Sequence, residues 1–346
     1  MSNPLHVNED KKQGRFNLNK DFIDKYGDLT LLFFIMISVF AIMAIINPNV
    51  FLSQGMMLSI ANQFPILGLL TLAMMFAMVS GGIDLSVVST ANLSAIMASI
   101  IMVQYIPADA SAGVTTLYIL LSIVCALLVG CVAGLFNGIL VSVVGIPAII
   151  VTLGTMQLYM GIALVLTKGK SIVGLPTIVS EVGAGTLFGI PFPLIIFIMF
   201  VIFSYFVLNL RDYGLKLQMT GSNPTASKFS GINVTSITIK AYVISGLLAA
   251  VAGLLMTAAT NAAKADFGTT YLLQAILVAV MGGVNPYGGR GKVAGVVMAV
   301  ITMQILSSGL GMLQVSNFFK DFMWGTVLII VLLANLFYNK KISKLS

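Results

Sequence analysis

Long apolar segments recur along almost the whole of this 346-residue chain. A helix needs about 20 apolar residues to cross the ~30 Å hydrocarbon core of a bilayer. Ten segments reach or approach this length, at residues 29–47, 57–80, 85–105, 115–142, 147–167, 190–210, 237–259, 269–283, 293–313 and 318–338. None of them alternates between apolar and polar residues as a barrel strand does. The sequence therefore predicts an all-α polytopic integral membrane protein with about ten transmembrane helices.

The composition excludes an ordinary soluble domain. Charged residues make up 8% of the chain, against about 25% in soluble domains. Membrane lipid is therefore the expected partner of most outward-facing side chains. The net charge of +7 does not indicate a nucleic-acid partner, because the basic residues lie between apolar segments and form no single patch.

The basic residues predict the orientation of the chain, since cytoplasmic loops are enriched in Lys and Arg. With the N-terminus inside, fourteen of the 18 basic residues are cytoplasmic, and only Lys168, Lys170, Lys264 and Lys320 lie outside. We therefore predict that both termini are cytoplasmic, with tails at 1–28 and 339–346 and a transmembrane domain at 29–338. The first 28 residues have no apolar core, so no cleavable signal peptide is expected.

A long polar segment at 211–236 separates the sixth and seventh apolar segments. Residues 220–236 show no apolar helical stripe, and the predicted orientation makes the segment cytoplasmic. Ser222 or Asn223 could cap a short helix, with Pro224 at its first position. The segment is either a contact element for a cytoplasmic partner or an ordinary solvated loop.

Two glycine pairs stand at matching places. Gly81-Gly82 and Gly282-Gly283 are 201 positions apart (81 to 282), and each follows an apolar segment. Segment 269–283 is too short to cross the bilayer alone. Short or glycine-interrupted segments at corresponding positions indicate a transport site, although a tight interhelical turn is the favoured interpretation of each pair alone.

Small residues also recur at helical spacing, at Gly130, Gly134 and Gly138 and again at Ser245, Ala249 and Gly253. Such faces let helices approach closely in lipid. We expect them to pack within the bundle, and a seam between two copies is the alternative.

Several chemistries are not supported. The chain has no P-loop motif, and His6 is its single histidine, so neither ATP hydrolysis, a Ser/His/Asp triad nor a His/Cys metal site is expected. We therefore predict no enzyme activity, no metal and no cofactor of its own. Cys125 and Cys131 are expected to be free packing residues.

Polarity inside the apolar segments comes mostly from amides and hydroxyls. These groups could bind a neutral polyhydroxylated solute or bond one another across helices. Asp84 follows the first glycine pair, where a helix cap is favoured over an ion ligand. The candidate translocation pathway consists of Asn62, Gln63, Gly81, Gly82, Asp84, Asn92, Asn137, Gln157, Gln274, Gly282 and Gly283.

Four motifs together resemble the permease subunits of bacterial ATP-binding-cassette importers for simple sugars, the ribose/xylose/arabinose class. They are "SGGIDLSVVS" from Ser80, "IPAIIVTLGTMQLYMGIALVLT" from Ile146, "GSNPTASKFSGINV" from Gly221 and "AVMGGVNPYGGRGKVAG" from Ala279. The segment "YLLQAI" at Tyr271–Ile276 lacks two acids that ribose permeases often carry there. The segments "AKADFGTTYLLQAI" and "LFGIPFPLIIF" are more similar to permeases for the furanosyl autoinducer signal.

The resemblance implies a multi-pass permease of the bacterial inner membrane that translocates a sugar-like solute. Its implied partners are an ATPase subunit that binds the ATP, a second permease forming a homodimer or heterodimer, and an extracytoplasmic solute-binding protein. By resemblance, segment 211–236 would couple to the ATPase through Gly221, Asn223, Pro224, Ala226, Ser227, Ser230 and Gly231. A nucleoside permease of the same superfamily and an ion-coupled secondary transporter are the alternatives, and a non-transporting scaffold is a third.

Overall fold

The computed structural model describes residues 18–107 and 109–342. The predicted tails beyond these bounds, including His6, lie outside the described residues. The chain forms α1 (Leu18–Ile46), α2 (Pro48–Phe51), α3 (Gln54–Val79), α4 (Val87–Ile100), α5 (Ala112–Ser142), α6 (Ala148–Thr167), β1 (Ile172–Val173), α7 (Thr177–Ala184), β2 (Thr186–Leu187), β3 (Ile190–Pro191), α8 (Phe192–Tyr205), α9 (Asp212–Ser222), α10 (Pro224–Phe229), α11 (Val234–Thr260), β4 (Ala262–Ala263), α12 (Thr270–Met281), α13 (Val293–Met312) and α14 (Asn317–Ile342). Short π-helical turns extend α4 to Tyr105 and α8 to Leu210.

Eight helices within the described residues are long and apolar enough to span a membrane: α1, α3, α4, α5, α6, α8, α11 and α13. The two remaining predicted segments coincide with α12 and α14, and α12 is only 12 residues long. This confirms the predicted all-α polytopic class. The cytoplasmic location of the termini stays a prediction.

Segment 211–236 is more regular than expected. It consists of α9 and α10 with a break at Asn223, and α11 begins within it at Val234. The Asn223 side chain accepts a hydrogen bond of 2.9 Å from the Ala226 backbone N–H, which decides between the two predicted caps. α9 has a buried face that includes Leu217 and Thr220, so this helix packs against the rest of the bundle.

α3 is the buried centre of the bundle. Its residues from Pro65 to Val79 are all buried, and Met74, Met75 and Phe76 have no exposed surface. Helices α8, α11, α12 and α13 pack around it. Pro65 lies within this helix, ten residues before Met75.

α5 and α11 approach at backbone distance. A Cβ atom at Gly130 would overlap the carbonyl oxygen of Gly246, and one at Gly134 would overlap that of Tyr242. Gly138 lies against the Cα atom of Ile239 in the same way. The predicted glycine ladder therefore packs within this chain, and these three residues do not form a seam between two copies.

Two small antiparallel strand pairs lie in the loops between helices, at the opposite end of the bundle from α10. β1 pairs with β4, with Ile172 opposite Ala263, and so joins the loop after α6 to the loop after α11. β2 and β3 form a hairpin that carries Phe188, which is 96% exposed. Cys125 and Cys131 are free, as predicted.

Replacing Gly134 by Ala tests the close packing of α5 on α11. The added methyl group must push the helices apart, which should lower the free energy of unfolding by about 1–3 kcal/mol. Gly113 is the matched control in the same helix, because a Cβ there meets no atom within 4 Å. Thermal unfolding in detergent measures both variants. Equal midpoints for Gly134→Ala and Gly113→Ala would contradict this packing.

Candidate functional site: a glycine junction and a polar cavity

Three of the four sequence motifs meet at one point, through backbone atoms. The Gly289 N–H donates a 3.1 Å hydrogen bond to the carbonyl oxygen of Val79, the last residue of α3. Gly221, near the end of α9, packs against both that carbonyl and the Gly289 nitrogen. Gly81, Gly221, Gly288 and Gly289 are called the glycine junction below.

Only glycine fits these positions. A Cβ atom at Gly288 would lie 2.8 Å from the Cα atom of Gly81, and one at Gly221 would overlap the Val79 carbonyl. Gly81 and Gly288 also have φ values of +94° and +95°, a region that side chains disfavour. The junction therefore joins α9 directly to the end of α3 and to the loop that follows α12.

The other paired glycines have different surroundings. Gly82 packs against the Tyr242 hydroxyl and Gly282 against the Cα atom of Val296. Gly283 has a φ of +83° with no atom near its Cβ position. They serve as turn and packing positions beside the glycine junction.

α10 presents an exposed surface next to the junction. Asn223, Pro224, Ala226 and Ser230 are exposed, and so is Gly231, whereas Ser227 is buried. Phe229 is 89% exposed.

α9, which leads into α10, is held to α11. The Tyr213 hydroxyl donates a 3.2 Å hydrogen bond to the Ile237 carbonyl oxygen. Burial raises the pKa of the Tyr213 phenol, so it stays protonated and able to donate. This contact fixes α9 to α11, and α10 follows directly after α9.

Asp84 is the centre of a buried hydrogen-bond network before α4. Its Oδ1 accepts from the Ser86 backbone N–H at 3.0 Å and from the Ser86 hydroxyl at 2.6 Å. Its Oδ2 accepts from the Ser245 hydroxyl at 3.0 Å, and the Asn137 amide donates to Ser86 Oγ at 2.8 Å. The carboxylate thus joins the start of α4 to α5 and α11, and Ser86 itself precedes the helix.

Asn92 holds the chain in front of α12. Its Nδ2 donates to the carbonyl oxygens of Ala265 and Phe267 at 3.0 and 2.9 Å. Phe267 lines a large cavity, so Asn92 positions a wall of that cavity from outside it.

The cavity has a volume of about 690 Å³ and lies between α3, α12, α13 and α14. Gln63, Gln274 and Gln304 reach it from three different helices, and Tyr271 and Trp324 add aromatic surface. Gln304 Nε2 donates to Gln63 Oε1 at 3.2 Å and to Ser308 Oγ at 3.1 Å. A mixed polar and aromatic lining suits a small polar ligand.

Gln274 differs from the other two glutamines. It is 9% exposed and makes no hydrogen bond to any residue that the structure describes. Its amide is therefore free to bond a ligand in the cavity.

Of the eleven predicted pathway residues, Gln63 and Gln274 line the cavity, and the other nine, which include Gln157 and Asn62, do not. Gln157 is exposed on α6, beside a shallow apolar depression that Leu158, Gly161 and Val165 also line. Asn62 has a buried amide oxygen without a partner among the described residues, and it does not line the cavity.

Comparison with known sequences identifies the family. Residues 56–332 match the family described as the permease component of branched-chain amino acid transport systems. The chain is 31% identical to the autoinducer 2 import system permease protein LsrD of Enterobacter sp. (strain 638), over 88% of this chain and 91% of that protein. It is 33% identical to the ribose import permease protein RbsC of Bacillus subtilis, over 90% and 92%, respectively.

The chain belongs to this permease family. This confirms the resemblance based on the four motifs, and with the eight apolar helices it confirms a multi-pass protein of the bacterial inner membrane. The family is a transport permease family and not an enzyme class. Comparison with solved structures gives no match.

Sequence reasoning on this permease did not find every cavity residue. Gln304, Ser308 and Trp324 line the cavity but are not among the predicted pathway residues. The signal that could have found them is the spacing of polar pairs. Ser59 and Gln63 in α3, and Gln304 and Ser308 in α13, are each four residues apart and hydrogen-bonded on one helix face.

Replacing Asp84 tests the role of its network in this permease. Asp84→Ala leaves the donors of Ser86 and Ser245 without an acceptor, which should cost about 2–4 kcal/mol of folding free energy. Asp84→Asn keeps the shape and an acceptor oxygen and should cost about 1 kcal/mol. Thermal unfolding in detergent measures both. If the two variants are equally stable, the network does not hold the start of α4.

Proposed function

We propose that this permease is the membrane-spanning subunit of an ATP-driven importer for a sugar or sugar-like solute. Two permease subunits, identical or homologous, would form the pathway. Two ATPase subunits would bind ATP on the cytoplasmic side, and an extracytoplasmic binding protein would deliver the solute. The permease itself would catalyse no reaction and hold no cofactor.

The glycine junction is the observation that carries this proposal. The exposed surface of α10 has no role in the packing of the bundle, yet α9, which leads into it, touches both α3 and the loop after α12. A displacement of α10 by a partner would therefore reach the buried centre of the bundle through backbone contacts. Such a connection is what an importer needs between its ATPase and its pathway.

α3 carries the displacement towards the cavity. Gln63 and Val79 are 16 residues apart on this helix (63 to 79), which is about 24 Å at 1.5 Å per residue. An ATP-driven movement of α10 would thus be transmitted along α3 and would change the cavity wall at the other end of that helix. A solute would shift the same equilibrium only through its different affinity for the two states.

The solute class is inferred from the relatives. LsrD is named for import of autoinducer 2 and RbsC for import of ribose. We propose the same broad class, a furanosyl compound or monosaccharide.

Uptake in proteoliposomes tests this proposal. The purified importer, with its ATPase and binding protein, should accumulate radiolabelled ribose or autoinducer 2 when ATP is present. Accumulation driven by a sodium or proton gradient without ATP would instead show a secondary transporter. No accumulation of either compound, with normal uptake of leucine, would overturn the solute class.

Replacing Phe229 by Ser tests the contact between α10 and the ATPase. Removing an aromatic anchor from the centre of an interface commonly costs about 2 kcal/mol or more, which is about a 30-fold loss of affinity. Phe188→Ser is the matched control, because Phe188 is equally exposed at the opposite end. Affinity of the detergent-solubilised permease for the ATPase measures both. Unchanged affinity for Phe229→Ser would argue against docking at α10.

A further inference from the structure

We propose that the cavity between α3, α12, α13 and α14 binds the solute, that the solute is uncharged and polyhydroxylated, and that Gln274 is its principal hydrogen-bonding partner. This inference rests on the proposed import function. It adds the location of the site and the chemistry that selects the ligand.

The charge of the cavity favours a neutral solute. Lys320 and Asp321 carry the formal charges of its lining, and they are opposite in sign and adjacent in the chain. The lining therefore has no net formal charge. A phosphorylated sugar would lose water there without meeting a net positive charge.

The free amide of Gln274 matches a hydroxylated ligand. A glutamine side chain offers one acceptor oxygen and two N–H donors, and a hydroxyl group is also both donor and acceptor. Gln63 and Gln304 bond to each other across the cavity, whereas Gln274 is nine-tenths buried with its amide unpaired. The amide atoms of Gln274 open onto the cavity, where a hydroxyl group of the ligand can replace water.

The aromatic residues complete the site. Tyr271 is one turn before Gln274 in α12, and Trp324 lies across the cavity in α14 with 2% exposure. The partly buried ring of Tyr271 suits the C–H face of a sugar ring, whereas Trp324 belongs to the hydrophobic core and only borders the cavity. The volume of about 690 Å³ leaves room for a monosaccharide with water, within the range of ~300–1,000 Å³ that is usual for ligand pockets.

The position of the cavity suits solute delivered from outside. Its walls come from the N-terminal parts of α3, α12 and α14 and the C-terminal part of α13. The predicted orientation places all four of these ends on the extracytoplasmic side. The glycine junction lies at the opposite end of α3.

Uptake by two glutamine variants is the first test. Gln274→Leu in the complete importer should reduce uptake of ribose or autoinducer 2 about tenfold, the effect of losing one to two hydrogen bonds. Gln104→Leu should transport normally, because Gln104 is exposed in the π-helical turn after α4 and does not line the cavity. Normal uptake by Gln274→Leu would overturn the inference and leave the proposed function intact.

Trp324 provides a second test that needs no variant, because it is the only tryptophan in the chain. Its fluorescence in lipid nanodiscs should change saturably with the neutral solute that the importer transports, and not with ribose 5-phosphate. An unchanged signal at saturating concentrations of a transported solute would overturn the inference. The fluorescence measurement also tests the inference if the Gln274→Leu variant does not assemble with the ATPase.

The two tests separate this inference from the proposed function. Uptake without ATP would contradict the proposed function, whichever residues bind the solute. ATP-driven uptake with no effect at Gln274 and Trp324 removes only the inference.

Discussion

The complete burial of α3 from Pro65 to Val79 is the constraint on which the rest of the structure depends. A transmembrane helix without lipid contact must be enclosed by other helices, and α8, α11, α12 and α13 enclose this one. Because the hydrophobic effect does not drive helices together within lipid, close packing has to hold them. The backbone contacts between α5 and α11 supply such packing one layer further out.

α3 also connects the cavity at one end of the bundle with the glycine junction at the other end. Its first turns face a cavity lined by amides, hydroxyls and aromatic rings, and its last residue bonds to the glycine junction. α12 has the same arrangement, with Gln274 near the cavity and the junction loop after its end. Two of the four helices that line the cavity are therefore connected to α9 at the glycine junction, α3 directly and α12 through the loop that follows it.

The sequence predicted the helices well, because apolar length and capping residues are local properties. Most predicted segments agree with the helices to within about three residues, and Asn223 and Pro224 begin α10 as the capping rule expects. The grouping of polar residues could not be predicted. Gln157 and Gln274 look alike in an apolar segment, and only the rotation of each helix against its neighbours puts Gln274 in the cavity and Gln157 on the surface. Helices that are apolar on every side do not reveal that rotation.

Pro65 has a consequence for the mechanics of α3. Proline has no backbone N–H, so the Ala61 carbonyl loses its usual helical partner four residues on. The backbone is therefore weakest between Gln63, at the cavity, and the buried stretch that begins at Pro65. Bending costs least at this place. A movement of the inner part of α3 at the glycine junction would therefore change its angle to residues 54–64, and with that angle the width of the cavity.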